Sequence, residues 1–191
     1  MADFKIYTDG AATMEFKNGQ YIRVAGGWAY VIIDENDNEI MGGFSGKLET
    51  TNNAMELTAI KEGLQRFLTF GYTGKGIELY SDSAYCINIF TNWIKSWKAN
   101  GWTRGKKHES IENVEIIKEI DRLINELNRR FCEVKFVKVK AHNGNYWNEK
   151  VDAMAVEGKL NARRNIKVET DPISMTAWGG SDTLAIFEVD D

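Results

Sequence analysis

The chain has 191 residues, of which 43% are hydrophobic and 27% are charged, so it is sized and composed like one folded domain. Its longest uninterrupted apolar run, Trp28–Ile33, is far shorter than the roughly 20 residues that span a bilayer. The first residues contain neither the basic region nor the apolar region of a secretory signal. We therefore expect a cytoplasmic monomer that has no membrane partner.

Charge and cysteine content argue against two further classes of protein. The formal net charge is −4, which disfavours a protein that coats nucleic acid nonspecifically, although it does not describe local patches. Cys86 and Cys132 are too few for a disulfide framework, and with two histidines the chain offers no four-ligand zinc spacing. We expect both cysteines to be buried thiols.

The first part of the chain is predicted to form three strands and a helix. Alternating apolar residues and turn signals place the strands at Phe4–Thr8, Gly27–Asp34 and Glu39–Gly46. From Asn53 to Gly71 the apolar residues change to a helical period, and they form one face at Leu57, Ile60, Leu64, Phe67 and Leu68.

The second part alternates strands and helices. We predict a strand at Gly76–Ser81, then helices at Asp82–Phe90 and Asn92–Lys98, then a polar loop at Asn100–His108. The remaining predicted elements are a helix from Val114 to Arg130, a strand at Glu133–Lys140 and a helix at Tyr146–Leu160. This order predicts an α/β fold, in which crossover strands extend an antiparallel trio and helices cover the sheet.

Residues 1–160 account for this predicted domain, and residues 161–191 form an extension of different character. The extension holds the only proline of the chain, a Gly179-Gly180 bend and a strand-like segment, Thr183–Val189. Exposed apolar residues on both faces of such a segment would promote aggregation, so we expect it to dock on the domain. A disordered acidic tail that binds a partner is the alternative.

Four acidic residues fall at the ends of the predicted elements: Asp9, Glu56, Asp82 and Asp152. Taken singly, each has a structural alternative: in the same order, a turn residue, part of a capping box, a helix N-cap and a solvated helix residue. Taken together, adjacent strand ends and the first helix bring them to one place. Clustered carboxylates raise each other's pKa unless cations neutralise them, and Mg²⁺ prefers such oxygen ligands. Two such ions about 4 Å apart suit phosphodiester chemistry.

Four segments extend this pattern to a known family: Tyr7–Ala11, Thr50–Leu57, Tyr80–Tyr85 and Ala141–Asp152. In order and spacing they resemble the signature segments of type 1 ribonuclease H, and the similarity covers about Asp3 to Leu160. The resemblance implies a ribonuclease H-like α/β fold with a five-stranded mixed sheet flanked by helices. It also implies an endonuclease that hydrolyses the RNA strand of RNA–DNA hybrids and leaves 5′-phosphate and 3′-hydroxyl ends.

The resemblance also implies roles for the acidic residues. Asp9 resembles the carboxylate that bridges two Mg²⁺ ions, with Glu56 and Asp82 on one ion and Asp152 on the other; Mn²⁺ is able to substitute. One ion would activate the attacking water, and the other would stabilise the departing 3′ oxygen. His142 resembles a residue that assists proton transfer or product release, and its ordinary pKa of about 6.5 suits that role.

The segment from Thr91 to His108 is a local cationic patch, because it contains five basic residues, three tryptophans and no acid. It resembles the basic protrusion that stand-alone type 1 enzymes place against the DNA strand. The basic residues would neutralise phosphates, and the tryptophans would contact sugars and bases or pack the helix down. The candidates are Lys95, Lys98, Arg104, Lys106, Lys107, Trp93, Trp97 and Trp102. For Trp93, core packing is an equal alternative.

Other candidate substrate contacts follow from the resemblance alone. Thr51 and Asn113 match positions that hold a DNA phosphate, and Asn52 and Asn53 match positions that touch the minor groove. Asn113 could equally cap the helix that follows it. The family often has an arginine where this chain has Glu49. Residues 13–25 form a longer connection than the usual Gly- and Pro-rich turn of the family, and the asparagine of that turn is not matched here.

Two other functions share parts of this pattern. A hybrid-binding module without catalysis is disfavoured because every predicted metal-ligand position holds an acid. A resolvase or transposase core places acids on a similar sheet, but it does not account for Thr50–Leu57 together with the basic protrusion. Cleavage of different duplexes separates the three functions.

Overall fold

The computed structural model describes residues 2–140 and 144–164. Its five strands form one sheet in the order β3-β2-β1-β4-β5. The first three pair antiparallel, whereas β4 pairs parallel to both β1 and β5. This arrangement confirms the predicted fold class. The strands are β1 Phe4–Lys17, β2 Gln20–Asp34, β3 Glu39–Leu48, β4 Gly76–Ser81 and β5 Glu133–Lys138.

Helices cover both faces of the sheet. One face buries the apolar stripe of the first helix with residues of β1, β4 and the fourth helix, while the last helix crosses β1, β2 and β3 on the other face. No helix in residues 2–140 and 144–164 is long and apolar enough to cross a membrane. The helices are α1 Asn52–Thr69, α2 Ala84–Asn88, α3 Ile94–Ala99, α4 Val114–Arg129 and α5 Tyr146–Arg163.

Three glycines hold α5 close to the sheet. A methyl group on Gly27 would overlap the backbone of α5 at Ala155, and one on Gly46 would overlap the carbonyl of Gly158. A methyl group on Gly158 itself would overlap the carbonyl of Ser45 in β3. Because backbone meets backbone here, the position of α5, and of Asp152 on it, is fixed relative to the strands.

The predicted loop at residues 13–25 is wrong: these residues continue β1 and β2 as a two-stranded ribbon. The strands turn at Asn18 and Gly19, both with positive φ, of 50° and 82°. Asn-Gly with this geometry is the favoured two-residue hairpin turn, because its twist matches that of the strands. The Asn-Gly pair in the sequence was therefore the signal for the ribbon.

Several element boundaries also differ from the prediction. A π-helical turn at Ile89–Trp93 joins α2 directly to α3, where two separate helices were predicted. The α2 helix is capped by Ser83, whose Oγ accepts from the N–H of Cys86, so Asp82 is not the N-cap. The last helix runs three residues beyond the predicted end at Leu160, and β5 ends two residues before Lys140.

Burial of Cys86 and Cys132, both free thiols, is confirmed. The strand-like segment Thr183–Val189 and its predicted docking lie outside the described residues, as does everything after Arg164.

Candidate active site

Parallel pairing of β1 and β4 brings two of the four acids together. The paired registers run from Phe4 opposite Ile77 to Tyr7 opposite Tyr80. Asp9 lies two residues beyond the last pair on β1, and Asp82 lies two residues beyond it on β4. Their carboxylates therefore meet where the two strands separate.

The third acid, Glu56, comes from the first turns of α1. Gly10 permits this approach, since a methyl group there would overlap the backbone N of Glu56. Asn52 connects the two elements: its Oδ1 accepts from the N–H of Ala12 (3.1 Å), and its Nδ2 donates to Glu56 Oε1 (3.4 Å). The start of α1 is thus fastened to β1 just beyond Asp9.

Together these elements build a cluster of buried and half-buried carboxylates. One carboxylate oxygen from each of Asp9, Glu56 and Asp82 lies within 4.8 Å of the others. Asp9 and Glu56 are only 6% and 4% exposed, and Asp152 of α5 lines the same open cleft. The structure therefore brings all four predicted acids to one place.

The cluster strongly disfavours negative charge in the absence of a cation. Burial, together with the nearby charges of Asp82 and Asp152, raises the pKa of Asp9 to about 8. Burial and the charges of Asp9 and Asp82 raise the pKa of Glu56 well above its ordinary value. Glu56 Oε2 is buried, and no donor in the described part of the chain reaches it. An unpaired buried oxygen among clustered carboxylates fits a hard dication such as Mg²⁺.

One cation at this cleft was not among the predicted site residues. Lys159 lines the cleft together with Asp9, Glu56 and Asp152. It follows Asp152 by seven residues, and a spacing of seven places two residues on the same helix face. That spacing was the available signal in the sequence.

Predicted phosphate and groove contacts flank the cluster. Thr51 caps α1, because its Oγ1 accepts from the N–H of Ala54 (3.2 Å), and Asn52 and Asn53 form the first turn of that helix. Asn113 precedes α4 in a left-handed conformation, and its side chain makes no capping bond. Asn113 therefore stands at the N-cap position without capping α4 through its side chain. Its Nδ2 is buried without an acceptor in residues 2–140 and 144–164.

The predicted cationic patch is partly neutralised in three dimensions. Lys98 donates to both carboxylate oxygens of Asp121 in α4, at 2.9 and 2.7 Å, and Arg104 lies 3.4 Å from Glu109. Three lysines are exposed and have no acidic partner among the described residues. These are Lys95, Lys106 and Lys107.

The three tryptophans of the patch differ in their surroundings. Trp97 and Trp102 pack against the core beneath α4, and Lys118 lies 5.8 Å from the ring of Trp102. Trp93 is 38% exposed, and its ring centroid lies 5.6 Å from that of Trp97. Trp93 therefore offers the most open ring of the three.

His142 lies outside the described residues, within the connection from β5 to α5. Beyond that connection, the Oδ1 of Asn145 accepts from the N–H of Asn148 (3.1 Å) and so caps the N-terminus of α5.

A five-stranded mixed sheet with acids converging from β1, β4, α1 and α5 defines a nuclease-like hydrolase with a ribonuclease H-like fold. The RNase H family model matches residues 1–159. The chain therefore belongs to the RNase H family, and it is a ribonuclease H enzyme.

Relatives and solved structures agree with this assignment. The chain is 37% identical over 150 residues to the ribonuclease H of Ehrlichia ruminantium strain Gardel, covering 78% of this chain and 90% of that protein. It is 36% identical over 166 residues to the ribonuclease H of Acetivibrio thermocellus, covering 86% of this chain and all of that protein. Its fold matches LC9-RNase H1, a type 1 RNase H with the type 2 active-site motif, at TM-score 0.69 and 21% identity, over 83% of this chain and 72% of that one. It also matches LC11-RNase H1, solved with an RNA/DNA hybrid, at TM-score 0.61 and 21% identity, over 83% of this chain and 98% of that one.

Proposed function

We propose that this chain is an endonuclease that cleaves the RNA strand of RNA–DNA hybrids and leaves 5′-phosphate and 3′-hydroxyl ends. The observation that carries the proposal is the convergence of Asp9, Glu56 and Asp82, with ligand oxygens within 4.8 Å, beside Asp152. The hybrid bound to LC11-RNase H1 supports the substrate class.

The four acids would hold two Mg²⁺ ions, with Mn²⁺ as a substitute. When bound there, the ions would lower the pKa of the attacking water and stabilise the departing 3′ oxygen. The charges of both Asp82 and Asp152 act on the pKa of Asp9, so Asp9 is the carboxylate suited to be shared. The raised pKa of Asp9 favours its protonated form when no cation is bound, and binding of the ions would release a proton from the cluster. Asn52 orients Glu56 for its part in the site.

The test is a cleavage assay on four substrates: an RNA–DNA hybrid, duplex RNA, duplex DNA and a four-way junction. Cleavage confined to the RNA of the hybrid, with the stated ends, would support the proposal. Preferred cleavage of the junction would instead indicate a resolvase, and binding of the hybrid without cleavage would indicate a silent module.

We keep an assisting role for His142. His142→Ala should lower kcat by about 10²-fold, the usual contribution of a general acid or base, and should leave KM for the hybrid nearly unchanged. Single-turnover rates would show whether the affected step is cleavage or product release. A loss as complete as that of a cluster carboxylate would contradict the assisting role.

The unpaired lysines of the protrusion should contribute to binding through phosphates. Each lost phosphate contact should reduce the slope of log K against log salt by about 0.9 for a B-like duplex. Replacing Lys106 and Lys107 by Ala should thus weaken hybrid binding and flatten its salt dependence. The control is Lys135→Ala, which removes a lysine of β5 that pairs with Glu78 of β4. An unchanged slope would remove these two lysines from the interface.

Four further proposals concern the rest of the molecule. Residues 1–160 would form the ribonuclease domain, to which α5 adds three residues, and the remainder would be an extension docked on it. A cytoplasmic location and a monomeric state stay predictions.

A further inference from the structure

The part of the ribbon formed by residues 14–23 carries large apolar side chains that the described residues leave exposed. Met14 is 56% exposed, Phe16 is 64% exposed and Tyr21 is 70% exposed. Phe16 and Tyr21 lie opposite each other in the β1–β2 register, and their ring centroids are 5.1 Å apart in an edge-to-face arrangement. A paired aromatic patch at a hairpin tip is unusual for a surface without a partner.

The two faces of this ribbon differ in what they present. Side chains alternate along a strand, so Glu15 points to the face of α5, where it pairs with Arg163 (2.9 Å) and Lys17 (2.9 Å). Met14 and Phe16 point to the opposite face. Gly10 and Ala12 precede them on that face, beside the start of α1. The apolar face of the ribbon therefore continues the surface that begins at Asn52.

Charge on the apolar face favours a nucleic acid as its occupant. Arg23 lies opposite Met14 in the register, so it shares this face, and it has no acidic partner in residues 2–140 and 144–164. The one acid of the ribbon, Glu15, lies on the other face and is already paired with two cations. Aromatic rings beside an unpaired arginine suit sugars, bases and phosphates.

We propose that Met14, Phe16, Tyr21 and Arg23 form a second contact with the minor groove of the bound hybrid, remote from the carboxylates. The inference rests on the proposed function, because Asn52 and Asn53 are the expected first groove contact. Phe16 lies four residue steps beyond Ala12 along β1, a distance of about 13 Å at roughly 3.3 Å per step. The ribbon tip would then contact the duplex about four base steps, at roughly 3.4 Å each, from Asn52.

The test compares long and short hybrids with the full chain and its Phe16→Ala/Tyr21→Ala variant. A hybrid that extends well beyond the ribbon should show KM raised at least about tenfold in the variant, with kcat within about twofold, since stacking of rings on nucleotides contributes to binding rather than to the chemical step. A hybrid too short to reach the ribbon should be cleaved alike by both proteins. Phe131→Ala is the matched control, because Phe131 is an aromatic side chain that is 84% exposed. It lies two residues before β5, the edge strand next to β4, and so away from the ribbon.

Three results would overturn the proposal. The first is an unchanged KM on the long hybrid. The second is faster amide exchange at residues 183–189 in the variant, which would show that the extension covers the ribbon. The third is a wild-type dimer that the double substitution dissociates, which would assign the face to a second copy. Direct measurement of the affinity for long and short hybrids tests the ribbon contact even if the wild-type chain cleaves no hybrid. Such a lack of cleavage would count against the proposed function and not against the ribbon contact.

Discussion

Asp9→Asn is expected to abolish hybrid cleavage, with kcat lowered by more than about 10³-fold. The substitution keeps the size of the side chain but removes the charge from the carboxylate that Glu56, Asp82 and Asp152 surround. Bound metal supplies several kcal/mol of charge stabilisation in such reactions, and about 4 kcal/mol corresponds to a 10³-fold change in rate. Steady-state cleavage of a hybrid in Mg²⁺ measures the effect.

Binding of the hybrid should survive this substitution. Phosphate contacts supply most of the affinity for a duplex, and the unpaired lysines at residues 95, 106 and 107 lie outside the cluster. Asp37→Asn is the control. Asp37 is an exposed carboxylate in the β2–β3 turn, and it pairs with Lys5 of β1. Substantial turnover by Asp9→Asn in Mg²⁺ would contradict the shared-ligand role, and loss of binding would show that Asp9 positions the substrate.

Local patterns in the sequence were sufficient to predict the sheet, the helices and the convergence of the acids. Alternation located the strands, a helical period located α1 and α4, and strand ends that share one edge placed Asp9 beside Asp82. The ribbon was not predicted, because the resemblance to the family indicates a loop at residues 13–25, whereas Asn18-Gly19 indicates a tight hairpin turn between paired strands. Local turn chemistry was the better guide.

Charge pairing across the fold could not be predicted from local sequence. The segment Thr91–His108 contains no acid, yet Asp121 neutralises Lys98 from α4, 23 residues further along the chain. Likewise, the seven-residue spacing places Lys159 on the same face of α5 as Asp152. It predicts that Lys159 lines the cleft only if that face of α5 is known to face the cleft. Such contacts depend on how helices pack, which single-segment patterns do not specify.

Clustering and burial of the carboxylates also make the stability of the protein depend on pH. The folded-state pKa of Asp9 is about 8, above the value of about 3.9 in an unfolded chain. A carboxyl group with a raised folded-state pKa contributes stability that is complete below about pH 4 and is lost as pH rises through 8. Glu56, whose pKa is also raised, adds to this effect in the same direction.

Metal-free wild-type protein should therefore lose thermal stability between pH 5 and pH 9, and Asp9→Asn should lose less because its amide does not ionise. At pH 9 a gain of about 2 kcal/mol would raise Tm of the variant by about 4–8 °C over wild type. Mg²⁺ should raise the wild-type Tm, since it binds the folded cluster, and raise that of Asp9→Asn much less. Calorimetry with a chelator and then with Mg²⁺ measures both effects, and Asp37→Asn should follow the wild type. Parallel Tm profiles for wild type and Asp9→Asn would mean that the buried cluster does not govern stability in this range.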